Sequence, residues 1–141
     1  MRARFVLVPL LVGGIPTGIV AAAALGDVLY DRQARANERE YHRRMEPAMS
    51  VLRDLRVKGL EPCAAEEAFV CLRGNGDVRA TAANVESALR RAGVTDVTSS
   101  CRDSRTRRLT FCSLRGRLHG SEVAGTVAPG VEVTLSAVPG Y

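Results

Sequence analysis

Two cysteines, Cys101 and Cys112, bracket ten residues in CRDSRTRRLTFC, and no other feature of the chain constrains its fold as tightly. If the two face each other across antiparallel strands, a single register follows: Val97 opposite Gly116, Ser99 opposite Leu114 and Asp103 opposite Thr110. Ser104 and Leu109 then close a four-residue loop, Arg105 to Arg108, which is an ordinary hairpin length. A disulfide between directly opposed positions is feasible where the strands approach most closely. Alternation puts Val97, Thr110, Leu114 and Leu118 on the cysteine face, and Arg102, Leu109, Phe111, Arg115 and Arg117 on the other. Cys63 and Cys71 would close CAAEEAFVC in the same local fashion. Four cysteines allow three pairings. The local one is preferred, with Cys71 to Cys112 across adjacent strands as its competitor.

A second feature limits how much chain is left to fold. MRARFVLVPLLVGGIPTGIVAAAALGD runs from Phe5 to Gly26 without a charge. As a helix it would reach about 33 Å, enough to cross a bilayer core. Its length favours an uncleaved anchor over 1–26, although Ala24 and Gly26 also suit a signal-peptide cut before Asp27. Five arginines just after the run pull towards the inside by the positive-inside rule, whereas oxidised cysteines require the C-terminal part outside. Residues 27–46 are charged nearly all round and hold no Gly or Pro, with opposite charges four apart at Asp31 and Arg35 and at Glu40 and Arg44. They read as a solvated helical stalk. Tyr30, Ala34, Tyr41 and Met45 form a thin stripe that could pair two copies.

The remaining residues, 47–141, form a domain small enough to need cross-links. The whole chain has no Trp, three Phe and three Tyr, so the core of this domain must come from Val, Leu and Ala. Pro47 is expected to punctuate the chain, followed by a helix burying Ala48, Val51, Leu52 and Leu55 and stopped at Gly59. AFVCLRGNGD reads as a short strand and a Gly-Asn-Gly turn. TAANVESALRRAGV is the clearest helix, with Thr81 as N-cap, Ala82, Val85, Leu89 and Ala92 as the buried stripe, and Gly93 as a left-handed C-terminal cap. TDVTSSC, RRLTFCSLRGRL and VEVTLSAV are strands. HGSEVAGTVAPG between the last two is either a loose loop or an extra strand over Glu122 to Val127. The expected class is therefore α+β: a transmembrane helix and stalk, then a small, mainly antiparallel sheet packed on one or two helices.

The net charge of +5 is not spread evenly. Arg102 to Arg117 holds six arginines against one Asp, while Glu61 to Glu67 holds three acids and no base. That pattern argues for a local patch and not for a generally basic protein. Arginine outnumbers lysine nineteen to one among many Ala, Gly and Val, the look of a small envelope protein from a GC-rich bacterium. Such a coding bias weakens any claim that each arginine was selected over lysine. The candidate binding residues are Arg105, Arg107 and Arg108 at the hairpin tip, with Arg102, Arg115 and Arg117 behind it. They would face phosphate-rich wall polymers, lipid headgroups or an acidic protein surface.

Other chemistries find less support. No CxxC is present and His42 and His119 stand at unrelated spacings, so neither a metal nor a cofactor is expected. HGSE at 119–122 sets His119 and Ser121 close together, the basis of an alternative reading as a secreted small hydrolase. Catalytic constellations are usually assembled from separate elements, however, and no enzyme is expected. GNGD at 74–77 lacks a phosphate-loop pattern, and Glu66 and Glu67 point to different sides of any regular element. Phe111 is the single aromatic in the hairpin, which argues against nucleic acid. The sequence thus predicts a membrane-anchored extracytoplasmic binding module, with a structural subunit of a membrane complex as a further alternative.

Overall fold

A computed structural model describes residues 15–63 and 68–140, and of residues 15–25 it describes the backbone alone. The fold is α+β, a six-stranded antiparallel sheet with two helices. In chain order the elements are α1 (Ile15–Arg53), β1 (Leu60–Pro62), β2 (Val70–Gly74), α2 (Val78–Arg91), β3 (Thr95–Asp103), β4 (Thr110–Leu118), β5 (Ser121–Ala128) and β6 (Glu132–Pro139). The strands lie in the order β1-β2-β6-β5-β4-β3. The chain divides into two units, residues 1–40 and Tyr41–Tyr141.

In the first unit the described residues are helical, and from Gly26 to Arg39 all are exposed. Asp31 pairs with Arg35 at 3.9 Å, as four-residue spacing dictates. Among the described residues, no helix is long and apolar enough to cross a membrane. The stretch on which a span was expected falls partly outside them: residues 5–14 are not described, and Asp27 begins the charged part of α1.

The second unit is built on one buried face. Alternation along β4, β5 and β6 sends Cys112, Leu114, Leu118, Val123, Val127, Val133, Leu135 and Ala137 inward, where Val70 and Leu72 of β2 join them. α2 covers β3, β4 and β5 with Ala82, Val85, Ala88 and Leu89. Its N-cap is Asp77, whose carboxylate accepts from the Ala80 N–H at 2.8 Å; Thr81, expected in that role, is buried one turn inside. Asp in GNGD outcompetes the threonine because it precedes a full extra turn of apolar spacing that Val78 begins. The C-terminus ends as expected: Gly93 takes φ +93° and the Val94 N–H donates to the Leu89 carbonyl, a closure that left-handed glycine permits.

Pro47 does not end a helix, for α1 runs through it to Arg53. A proline there removes one helical donor at a cost of about 3 kcal/mol. Met45 before it and Ala48, Met49 and Leu52 after it are all 4% exposed or less, so burial on both sides holds the helix together. Met45 thus belongs to this core and not to a pairing stripe with Tyr30 and Tyr41. Of the residues expected to be buried here, Ala48, Leu52 and Leu55 are, while Val51 is half-buried.

Three further differences concern the sheet. β1 carries no apolar alternation and forms only by pairing with β2, Leu60 opposite Gly74 and Pro62 opposite Leu72. The glycine-rich segment is a full strand, β5, which separates β4 from β6. Val97 does not sit squarely opposite Gly116, because the register slips by one between Thr95 and Thr98. Asp96, at φ +52°, is the extra residue of this bulge.

Candidate functional site

Both local disulfides are present, Cys63–Cys71 and Cys101–Cys112. Cross-links of this kind persist in oxidising compartments and mark an extracytoplasmic or secreted protein. The second holds the hairpin that carries the arginines. Cys101 lies opposite Cys112, Ser99 opposite Leu114 and Asp103 opposite Thr110. The Ser104 N–H donates to the Leu109 carbonyl at 2.7 Å and the Arg108 N–H to the Ser104 carbonyl at 3.0 Å, closing the Arg105–Arg108 loop. Arg108 adopts φ +51° to make that turn.

The acid that might have balanced these arginines is engaged elsewhere. Thr110 donates its hydroxyl to Asp103 Oδ1 at 2.8 Å, and Arg79 of α2 donates to Oδ2 at 2.8 Å. The Thr110 hydrogen bond and the Arg79 guanidinium hold the Asp103 carboxyl below its ordinary value of 3.8. Because the folded-state value is the lower one, the contribution is present above the unfolded value and is lost as pH falls through the folded value. Thermal unfolding of wild type and Asp103→Asn across acid pH should therefore differ, with the variant lacking part of the wild type's loss of stability below about pH 4. Parallel curves would show that the pairing does not contribute.

With Asp103 taken, none of Arg102, Arg105, Arg107, Arg108, Arg115 and Arg117 has an ion-pair partner among the described residues. The fold sorts these six into three groups. Arg105, Arg107 and Arg108 are exposed on the hairpin tip. Arg102 and Arg115 line a cavity of about 550 Å³ on the sheet face opposite the helices, with Phe111, Thr98, Ser100, Ser113 and Thr126. Arg117 borders a smaller recess beside Asp96 and Glu122, so its field is partly offset.

The open face follows directly from the register. Arg102 faces Phe111, Ser100 faces Ser113 and Thr98 faces Arg115 across β3 and β4, and Thr126 of β5 lies opposite Ser113. Phe111 is 48% exposed, an uncovered aromatic surface opposite Arg102. A second cavity, of about 510 Å³, shares Ser113, Arg115 and Thr126 and continues across Ala124, Thr134 and Ser136 to Phe69. Its floor is made of small side chains, and Thr126 and Thr134 hydrogen-bond each other across it at 2.7 Å. Guanidinium forks, hydroxyls and exposed rings together can hold an anion attached to a flat or extended group. A larger recess, about 810 Å³, opens beside β1 and β2, but its one cation, Arg73, is paired with Glu132 at 2.7 Å.

Phe111 as part of this cavity, and Thr98, Ser100 and Ser113 beside it, were available from the cysteine register. Arg79 as the partner of Asp103 was not, since it lies on another element. Thr126 required β5 to be recognised as a strand. His119 and Gly120, at φ +50° and +77°, form the two-residue turn between β4 and β5. Ser121 is buried and Glu122 lies opposite Arg117, so neighbours in sequence are sent to different faces and no hydrogen bond joins them. Glu66 and Glu67 lie outside the described residues. No group of three or more His, Cys, Asp or Glu among the described residues could hold a metal ion. In comparisons with protein-family models, curated proteins and solved structures, the chain matches none of them.

Proposed function

We propose that this chain is an extracytoplasmic binding module that recognises an anionic partner through the β3–β4 hairpin, tethered to a membrane by its N-terminal apolar stretch. One observation carries the reading: six arginines on a disulfide-stapled hairpin lack ion-pair partners among the described residues, while the only acid among them is held by Arg79. Clustered like charges repel, so an uncompensated group is a standing cost to the folded domain that an anionic partner relieves. The staple adds to this, because guanidinium groups on a fixed hairpin lose less freedom on binding than on a free loop. The tether reading rests on the uncharged run from Phe5 to Gly26.

The test is binding of the full-length chain to polyphosphate and to poly-L-glutamate at two ionic strengths. Wild type should bind both, with affinity falling steeply as salt rises. The variant Arg105→Ser, Arg107→Ser, Arg108→Ser should lose at least about tenfold in affinity, together with part of the salt dependence, at an unchanged unfolding temperature. A folded variant binding as tightly as wild type would end this proposal.

A further inference from the structure

The two edges of the sheet differ in a way that bears on what the arginines hold. β1 is three residues long and ends in Pro62, so it offers little to a pairing strand. β3 runs regularly from Thr98 to Asp103 and contains no Pro or Lys and no bulge over that span. It pairs with β4 on one side only.

The hydrogen-bond phase tells which of its groups are free. Ser104 and Leu109 are a hydrogen-bonded pair. Alternation makes Arg102 with Phe111 and Ser100 with Ser113 hydrogen-bonded pairs too, and makes Cys101 with Cys112 a narrow pair. Their Cα–Cα distance of 4.0 Å agrees. The N–H and C=O groups of Ser99, Cys101 and Asp103 therefore point away from β4, and no backbone partner meets them among the described residues. Two residues before Ser99, Arg90 already occupies the Val97 carbonyl at 3.0 Å, which bounds the free stretch.

The side chains around this edge hold it in place. Ser99 donates to Glu86 at 2.6 Å and Asp103 accepts from Arg79 at 2.8 Å, so α2 grips β3 at two residues four apart, and both bonds use side chains alone. Arg102 stands on the opposite face, beside the cavity shared with Phe111 and Arg115. The tip arginines follow at the end of the strand.

We infer that the free edge of β3 takes an extended acidic polypeptide segment as a seventh strand, its carboxylates set beside Arg102 and the tip arginines. The inference rests on the anion-recognition reading and narrows it to one class of partner. A polyphosphate or a lipid headgroup offers acceptors alone and leaves the three edge carbonyls unmatched. A polypeptide strand offers a donor and an acceptor at every second residue, the repeat this edge presents. A second copy of the chain would bring its own uncompensated arginines to the same edge, which like-charge repulsion opposes.

The probe is the peptide acetyl-(Glu-Thr)4-amide, in which extended backbone puts every Glu on one face. Binding is measured to the full-length chain, with polyphosphate as an anion that has no peptide backbone. Ser99→Pro removes an N–H that points away from β4 and should spare the ladder, as proline does on edge strands. It should lower peptide affinity at least about tenfold and leave polyphosphate binding unchanged. Ser99→Ala, which keeps the N–H and loses the Glu86 bond, measures what that bond contributes and should lose far less peptide affinity than Ser99→Pro. A peptide carrying N-methyl groups at its two central residues blocks both of its own edges at constant charge, and should lose binding to the unaltered protein. If Ser99→Pro and the methylated peptide both bind as well as their parents while the tip-arginine variant does not, strand addition is wrong and anion recognition stands. If the tip-arginine variant also binds normally, both are wrong. Self-association of wild type that Ser99→Pro abolishes would make the occupant a second copy and overturn the acidic segment.

Discussion

Replacing Leu52 by alanine is expected to lower the unfolding free energy by about 2–5 kcal/mol, the range for truncating a fully buried leucine. Leu52 is 0% exposed and closes a stripe of Met45, Ala48 and Met49 at the spacing of one helix face. The sheet's inner face is built mainly from valines and leucines, with no aromatic ring in the buried cluster, so each large aliphatic side chain carries a sizeable share of the core. A small domain of this size has a total stability of the same order as the expected loss. Urea titration should show the midpoint falling at constant slope. A loss below about 1 kcal/mol would mean that the end of α1 only rests on the sheet and is not part of its core.

The second large effect concerns the cross-links. Replacing both Cys101 and Cys112 by alanine should cost about 3 kcal/mol, as expected for removing a disulfide that closes a loop of this length. Cys112 is 2% exposed and packs with Leu114 under α2, so the substitution also leaves a small void. Reduction without substitution separates the two contributions, because it restores chain entropy while keeping most of the sulfur volume. In a Cys63→Ala, Cys71→Ala background, where this disulfide is the one left to reduce, unfolding followed with and without a thiol reductant should reproduce most of the loss that replacing Cys101 and Cys112 causes. If reduction hardly shifts the midpoint, the hairpin is held by its neighbours and the cysteines are incidental to its rigidity.

How much of this could be read from the residues depended on whether the signal was local. The cysteine register came through because a disulfide across opposed strands leaves no freedom in which residues face each other. From that one constraint the open face, with Arg102, Phe111 and Arg115 together, follows by alternation. α2 was legible because its buried stripe and its glycine cap agree. β5 was ambiguous because glycine is a turn residue by local preference, yet Gly125 sits in mid-strand where Leu135 comes so close that an added Cβ would lie 2.5 Å from its Cδ2. Only the packing partner explains that glycine, and it lies ten residues further along. Likewise nothing in LEP announces β1, and nothing near Asp96 announces a bulge. The arginines looked like one patch because a sequence cannot show that Arg79 takes Asp103, or that Arg117 lies beside two acids.

The place of β2 beside β6 has a consequence for how such a domain is delivered. The hairpins among β3, β4, β5 and β6 join near neighbours, and each disulfide closes within its own short stretch of chain. All of these can form as the polypeptide emerges. Val70 cannot find Leu135 until β6 has arrived, so β1 and β2 wait through most of synthesis for the strand that completes them. During that interval Val70 and Leu72 have no inner face to join. A chain that crosses a membrane in one direction would meet this delay in the same order, with its oxidised hairpins finished first and its sheet closed last.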